Sequence, residues 1–405
     1  MISFDKSMML LDSLNIEPCE KITLPLMQSV GYVIAEDIVA SYNSPELPTA
    51  AMDGYAIKFD DQNIKELPIQ AINPAGATTV KELVAGKCIK TFTGSIMPKG
   101  SDTLIPIENV SLKDDSTIFI EEEVPFGFSV REVGENFKEG EVLIKKGTKI
   151  DFAEIGVLAS LNVVSVDVYK KPTVSVIATG EELLELGEEQ TKASQIRSSN
   201  NYTIEAIANK YGAEVKNLGC VGDDIENIKT IFKEALKSSD IIVSTGGVSV
   251  GDFDFVKDVV RDELGANVVF KGVVIKPGQH IMLATVGNKT ILALPGFAYS
   301  STVTALLYLL PLIAKYQNRI YKPLILKAKL LQKYTKKSKK KEFAPCNIYF
   351  DNKEITVDFK GKKDGTSAIM TNMIGVSALA VTSEDQGDLN IGDYIDIFLF
   401  DLKQN

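Results

Sequence analysis

Hydrophobic spacing changes character twice along the chain. Met8, Leu11 and Leu14 recur at helical spacing, so residues 1–40 open on a helix. Two short apolar stretches follow around Gly31 in residues 22–39. Residues 41–54, Ser-Tyr-Asn-Ser-Pro-Glu-Leu-Pro-Thr-Ala-Ala-Met-Asp-Gly, predict an extended loop, because a proline disfavours helix in the residue before it. From 55 to 130 the short apolar runs Ile69–Ile72, Cys88–Phe92 and Ile118–Ile120, separated by Gly and Pro, predict strands. Residues 131–170 carry several glycines and a short helix, Phe152–Leu161.

From Pro172 strands and helices alternate. The pattern predicts strands at Val174–Ala178, Val215–Val221, Asp240–Thr245, Val268–Val274, Ile281–Ala284 and Ile291–Leu294. Helices are predicted at Asn201–Tyr211, Ile225–Ser238 and Phe253–Leu264. Such alternation implies βα units around a mostly parallel sheet. Thr290 to Ala314 has no charged residue over 25 positions, long enough to cross a bilayer. Pro295-Gly296 and Ser300-Ser301 interrupt it, so it reads as a buried strand, a turn and a buried helix. From about Lys322 the pattern returns to β. Lys327 to Lys341 holds eight lysines and no acid, which fits a lysine-rich edge strand or loop beside an anionic site.

The 405 residues suffice for roughly two to four domains. A hydrophobic content of 45% with 24% charge excludes global disorder. The net charge of −10 gives no footprint for nucleic acid or acidic membranes, so an anionic substrate needs a local basic cavity. Cys19, Cys88, Cys220 and Cys346 form no CxxC pair, which argues against a zinc ribbon or a disulfide scaffold. His280 is the single histidine, excluding a multi-histidine metal site, and it is expected to be a satisfied surface or strand residue. Asp5, Lys6 and Asp12 interrupt the N-terminus, no signal peptide is visible, and the expected location is cytoplasmic.

In an open α/β sheet, ligands bind outside the carboxyl ends of the strands. Thr179-Gly180-Glu181-Glu182 follows one predicted strand, and Pro295-Gly296 follows another. Thr245-Gly246-Gly247-Val248-Ser249-Val250-Gly251-Asp252-Phe253-Asp254 lies at a third strand end, and Lys276-Pro277-Gly278 lies between two strands. Glycines let backbone N–H groups approach a phosphate, and a following helix N-terminus attracts it. Glu182 and Asp254 could hold Mg²⁺ against such phosphates. Neither GxGxxG nor a Walker A loop is present, so a dinucleotide dehydrogenase or P-loop NTPase lacks its main support.

These strings, with Pro48-Thr49-Ala50-Ala51-Met52-Asp53-Gly54-Tyr55-Ala56 and Thr93-Gly94, resemble the molybdopterin molybdenumtransferases, the MoeA and gephyrin E-domain family. The resemblance covers essentially the whole chain. It implies an α/β plus β multidomain fold: a discontinuous stem domain (1–54 and 131–170), a β insertion domain (55–130), a molybdopterin-binding αβ domain (171–320) and a C-terminal β-barrel-like domain (321–405). It also implies an elongated homodimer, with a site between the αβ domain of one subunit and the β domains of its partner. The implied reaction inserts molybdenum from molybdate into adenylylated molybdopterin, with Mg²⁺ and release of AMP. The upstream molybdopterin adenylyltransferase is an implied partner; nucleic acid and membrane are not.

By matched position, Asp53, Glu182 and Asp254 are the implied catalytic acids, the last two also as metal ligands. Thr93 matches a threonine facing the cleft and Asp223 a further cleft aspartate. Thr179, Gly180, Thr245, Gly246, Gly247, Ser249 and Gly251 are implied to cradle the pterin or its phosphate, beside Pro295 and Gly296. Lys276, Pro277, Gly278 and Ser300 fall near the expected oxyanion, and Ser367 in a C-terminal glycine-rich turn.

The chain departs from the commoner pattern at Gln279, Gly272, Pro345 and Asn136 and in Phe297-Ala298-Tyr299. The first three replace basic residues near the oxyanion, where each charge-assisted hydrogen bond is worth roughly 1.5–3 kcal/mol. Lys271 or the lysine-rich 327–341 segment is a candidate replacement. Two alternatives stay open: a paralogue that uses tungstate or adenylylates molybdopterin, and a non-enzymatic gephyrin-like scaffold.

Overall fold

The computed structural model describes residues 1–248, 255–351, 354–363 and 367–400. The chain forms two compact units. One comprises residues 1–35, 147–152 and 165–405, the other residues 36–146 and 153–164. The expected stem segment thus divides near Glu36, its first part going with the αβ and C-terminal regions.

The smaller unit is built on a mixed six-stranded sheet. Its strand order is Thr103–Pro106, Gly54–Ile57, Cys88–Thr91, Glu66–Asn73, Thr117–Ile120, Val110–Asp114. The Cys88–Thr91 strand runs antiparallel to Gly54–Ile57 and parallel to Glu66–Asn73. Tyr55, Ile57, Leu67, Cys88, Ile105 and Ile118 fill its core. Gly54 is required by packing, since a Cβ there would sit 2.3 Å from the Ile105 carbonyl oxygen.

In the larger unit the predicted alternation forms a six-stranded sheet. Strands Glu214–Val221, Thr173–Thr179, Ile241–Thr245 and Lys289–Leu294 are parallel; Met282–Val286 and Asn267–Lys271 complete the sheet antiparallel. Side chains alternate between two cores. Val174, Val176, Ile241, Val243, Leu292 and Leu294 face one, with Ile204 and Tyr308. Ile177, Ile242 and Ile291 face the other, with Ile228, Phe232 and Val256. Each such fully buried side chain is worth about 1.5–3 kcal/mol of apolar transfer.

Helix Ile225–Ser238 starts where the Asp224 side chain accepts from the Asn227 N–H, and it buries Ile228, Phe232 and Ala235 on one stripe. The charge-free stretch is strand Lys289–Leu294, a turn, and helix Ala298–Tyr316. That helix is long and apolar enough to cross a membrane, but its most apolar window is 89% buried and serves as the core.

Two predicted elements end differently. The strand expected to reach Val274 stops at Lys271, because Gly272 turns at φ +75° while its N–H donates to the Ile281 carbonyl. Of the helix expected over 253–264, the described part is an α turn, Val256–Asp258, and a π turn, Val259–Glu263.

The C-terminal region closes a five-stranded barrel: Lys341–Asp351, Glu354–Asp358, Leu324–Leu330, Tyr394–Leu399 and Ala378–Thr382, with the last pairing back to the first. Ala328, Ala378 and Ala380 point inside, small enough to let so few strands close. Of the edge strand or loop expected for this segment, the loop holds Lys333, Lys336, Lys337, Lys339 and Lys340; Lys327 and Lys329 lie instead on a strand with neighbours on both sides, Lys329 within both pairings, and Lys341 opens the next strand. Ile275–Lys276 adds in parallel to Lys341–Glu342, which brings the αβ region's lysine to the barrel wall.

Candidate active site

Three groups of candidate residues emerge, one in the smaller unit and two in the larger. In the smaller unit, the extended loop delivers Asp53 to the start of strand Gly54–Ile57. Its Oδ1 accepts from the Thr93 N–H at 2.8 Å and the Thr93 hydroxyl at 2.7 Å. These two donors, helped by Lys90, hold the Asp53 carboxyl below the usual carboxylate range. Oδ2 has no protein partner among the described residues, and Asp53 lines a cavity with Tyr55, Lys90 and Phe92. Gly94 completes the turn at φ +78°, its N–H donating to the Ala50 carbonyl. Asp53 and Thr93, matched separately in the sequence, thus act as one pair.

That pair fixes a pH dependence. A depressed pKa means that the ionised Asp53 stays favoured until the pH falls through its lowered value. Thr93→Val removes the hydroxyl donor and keeps the backbone one. The acidic limb of the pH–rate profile should move to higher pH, with the rate well above the limb retained. A limb that stays in place would show that Asp53 does not set it.

In the larger unit, the carboxyl ends of the parallel strands open on a cavity of about 660 Å³. Thr179 and Gly180, Thr245 to Gly247, and Pro295 and Gly296 form its floor. Gly246, at φ +91°, donates its N–H to the Leu294 carbonyl and lies so close to Thr179 that a Cβ would be 2.6 Å from that carbonyl oxygen. The Thr179 hydroxyl donates to the Thr245 carbonyl at 3.3 Å. Glu182 and Asp223 line the same cavity. Glu181 acts as a clamp instead, its carboxylate accepting from the Asp223 N–H at 3.1 Å. Ser249, Gly251 and Asp254 lie outside the described residues.

Sequence reasoning missed part of this cavity. Arg197, Ser198, Ser199 and Asn200 line it where helix Asn200–Lys210 begins. Ser199 makes no side-chain cap, which leaves the first helical N–H groups to other acceptors. The Asn200 amide donates to the Gly296 carbonyl at 2.7 Å and ties the helix start to the strand end. Ser-Ser-Asn before a helical pattern is the signal that could have found them. His280 also lines the cavity, in an irregular segment rather than a strand.

A second cavity, of about 300 Å³, is lined by Lys276, Lys333, Lys337, Lys362 and Lys363, with Glu342 as its single acid among the described residues. Glu342 is only 4% exposed. It accepts from Ser338 at 2.8 Å and Tyr334 at 2.9 Å and pairs with Lys276 at 3.4 Å; against the desolvation that would raise its pKa, these partners hold its carboxyl below the ordinary value. Lys333 is paired with Asp388, whereas the Lys363 ammonium has no acid partner among the described residues. Burial pulls the Lys362 ammonium below its ordinary pKa. Pro277, Pro345 and Ser367 line this cavity too. Ser300 stands behind the wall at 2% exposure, its N–H donating to the Ser367 carbonyl, and Gly278 packs a would-be Cβ 2.3 Å from Thr304.

The two cavities share a wall. Residues 276–277, 299 and 367 face the lysines, while 280, 297–298 and 368 face the glycine-rich floor. The arrangement suits a ligand with a phosphate or heterocycle at one end and a small anion at the other. No cluster of three or more potential metal-ligating side chains occurs among the described residues. Mg²⁺ needs fewer, since it commonly takes one or two carboxylates together with phosphate oxygens and water, a donor set that Glu182 fits.

Residues 2–162 match the family model described as the MoeA N-terminal region (domain I and II), and residues 175–315 match that of a probable molybdopterin binding domain. A molybdopterin molybdenumtransferase of Haemophilus influenzae is 29% identical over 383 residues, covering 94% of each chain. The Staphylococcus epidermidis molybdopterin molybdenumtransferase is 32% identical over 324 residues, covering 78% of this chain and 77% of its own. Among solved structures, a molybdopterin biosynthesis MoeA protein from Pyrococcus horikoshii superposes with a TM-score of 0.83 at 28% identity, covering 99% of this chain and 100% of that one. With the α/β plus β architecture and closed C-terminal barrel, these likenesses show that the chain belongs to the molybdopterin molybdenumtransferase family, enzymes of molybdenum cofactor biosynthesis.

Proposed function

We propose that this enzyme inserts molybdenum from molybdate into adenylylated molybdopterin and releases AMP. The observation that carries the reading is the shared wall between the glycine-floored cavity and the lysine-lined one. The larger cavity takes the pterin and its phosphates. Backbone N–H groups at Gly247 and at the start of helix Asn200–Lys210 meet phosphate oxygens. Phe297, 60% exposed at the rim, offers an aromatic face to the pterin ring. The lysine cavity takes the dianionic molybdate, and its excess of ammonium groups replaces the basic donors absent at Gln279, Gly272 and Pro345. Lys333 and Lys337 come from the segment anticipated for this purpose; Lys362 and Lys363 do not.

Glu182, with Asp254, is assigned to Mg²⁺, which when bound offsets phosphate charge as AMP leaves. Asp53, with Oδ2 unpartnered among the described residues and its charge secured by Thr93, is assigned as the acid–base group. A homodimer and a cytoplasmic location complete the reading. All four cysteines are free, with burial the leading cause that pushes each thiol up to about 12, which suits a reducing compartment.

The test is single-turnover AMP release from adenylylated molybdopterin with Mg²⁺, comparing molybdate, tungstate and no oxyanion. Molybdate-dependent release is expected. Release that ignores the oxyanion would overturn the reading, and release with tungstate alone would make the enzyme a tungsten paralogue. The double variant Lys362→Ala/Lys363→Ala should raise the half-maximal molybdate concentration about tenfold or more, since one charge-assisted contact is worth ~1.5–3 kcal/mol. An unchanged molybdate dependence would remove these two lysines from the anion site.

A further inference from the structure

We infer that Gln279, held by Lys340, fixes the single histidine of the chain as its Nδ1–H tautomer, and that His280 donates this hydrogen to an acceptor atom of the ligand in the glycine-floored cavity. The inference rests on the reading of that cavity as the site of the nucleotide-linked pterin.

The argument is one of donors and acceptors. The Lys340 ammonium contacts Gln279 Oε1. An ammonium only donates, so the atom facing it must be the amide oxygen, which removes the usual ambiguity of an amide flip. The amide nitrogen is thereby turned toward His280, with Gln279 Nε2 and His280 Nε2 2.7 Å apart. An amide nitrogen donates and does not accept. The ring Nε2 must therefore be the acceptor, and in the neutral ring the hydrogen resides on Nδ1.

Both ends of this relay are anchored. The Gln279 carbonyl accepts from the Val273 N–H at 2.9 Å. Lys340 donates its backbone N–H to the Ser338 hydroxyl at 3.3 Å, and Ser338 donates to buried Glu342. Nδ1 meets no protein partner among the described residues, and the half-buried ring lines the cavity. A partly buried donor left without a partner costs free energy, which a ligand acceptor recovers. A ring carbonyl or nitrogen of the pterin, or a phosphate oxygen, would serve. Gln279 and Lys340 are positioning residues; His280 is the contact.

The test uses the full-length, untagged protein labelled with ¹⁵N-histidine, in which one ring gives one set of signals. Wild type should show the Nδ1–H tautomer before any ligand is added. Gln279→Leu and Lys340→Met, checked for unchanged melting temperature, should each give an Nε2–H or mixed ring. An Nε2–H or mixed ring in wild type would overturn the relay. Binding is then measured with metal-free adenylylated molybdopterin and, separately, with AMP. His280→Ala should weaken binding about tenfold, the equivalent of ~1.4 kcal/mol. His280→Asn, whose amide nitrogen stands where Nδ1 stood, should restore it, and His280→Gln should not. Loss with AMP as well as with the full nucleotide places the acceptor on the AMP half; loss with the full nucleotide alone places it on the molybdopterin half. Equal affinity of His280→Ala and wild type would overturn the contact. Failure of wild type to bind the nucleotide at all would instead overturn the reading of the cavity, and the ligand half of the inference with it, leaving the tautomer result to stand alone.

Discussion

Asp53→Asn is expected to lower single-turnover AMP release by about two to four orders of magnitude, the range typical of a lost acid–base group. The asparagine carbonyl can still accept from the Thr93 N–H and hydroxyl, so the turn that presents the residue remains closed. What disappears is the charge and the lone pairs of Oδ2, the oxygen with no protein partner among the described residues. A partly exposed substitution of this kind changes stability by only about 0.5 kcal/mol or less. The melting temperature should therefore hold while the rate collapses. Asp53→Ala also opens the turn, and it should lose both rate and some stability. A rate for Asp53→Asn within threefold of wild type, roughly 0.6 kcal/mol in barrier, would remove Asp53 from the chemistry.

Gly246→Ala is expected to damage the larger cavity and the fold together. At φ +91° an alanine pays about 1–2 kcal/mol for the left-handed backbone. Its Cβ would also meet the Thr179 carbonyl oxygen at 2.6 Å and the hydroxyl at 2.8 Å, both attached to a core strand that cannot retreat. Overpacking of this kind costs about 1–3 kcal/mol more. We expect a melting temperature lower by several degrees and binding of the pterin nucleotide weakened more than tenfold. Gly296→Ala is the control for stability: among the described residues its Cβ would find nothing nearer than the Gly246 Cα at 3.7 Å, an ordinary contact. Equal melting temperatures for the two variants would show that the close approach at Gly246 is not what holds the strand ends together.

Much of the αβ region was legible from local rules. Strands such as Ile241–Thr245 declare themselves as short apolar runs, the pattern of a parallel strand buried on both faces, and helix Ile225–Ser238 by its buried stripe and its Asp224 cap. Glycines at the strand ends announced the larger cavity, and at Gly246 only glycine fits the backbone. Less was legible where a side chain's role depends on a distant partner. Asp53 and Thr93 lie 40 positions apart and were matched to separate roles, yet they form one hydrogen-bonded pair. Lys327 and Lys329 suggested an edge strand, because a run of lysines says nothing about which strands will flank it.

The sequence by itself determined the order of elements, the βα alternation, the glycine-rich strand ends and the family resemblance. All of these follow from spacing and residue type within short windows. Only the tertiary structure decided that the barrel closes through pairing of Lys341–Asp351 with Ala378–Thr382. That structure places Lys333, Lys337, Lys362 and Lys363 around one cavity with Lys276, and sets Lys340 against Gln279 beside His280. Charge convergence of this kind depends on chain closure over long separations, and closure is governed by the packing of the whole barrel. No local pattern of residues carries that information.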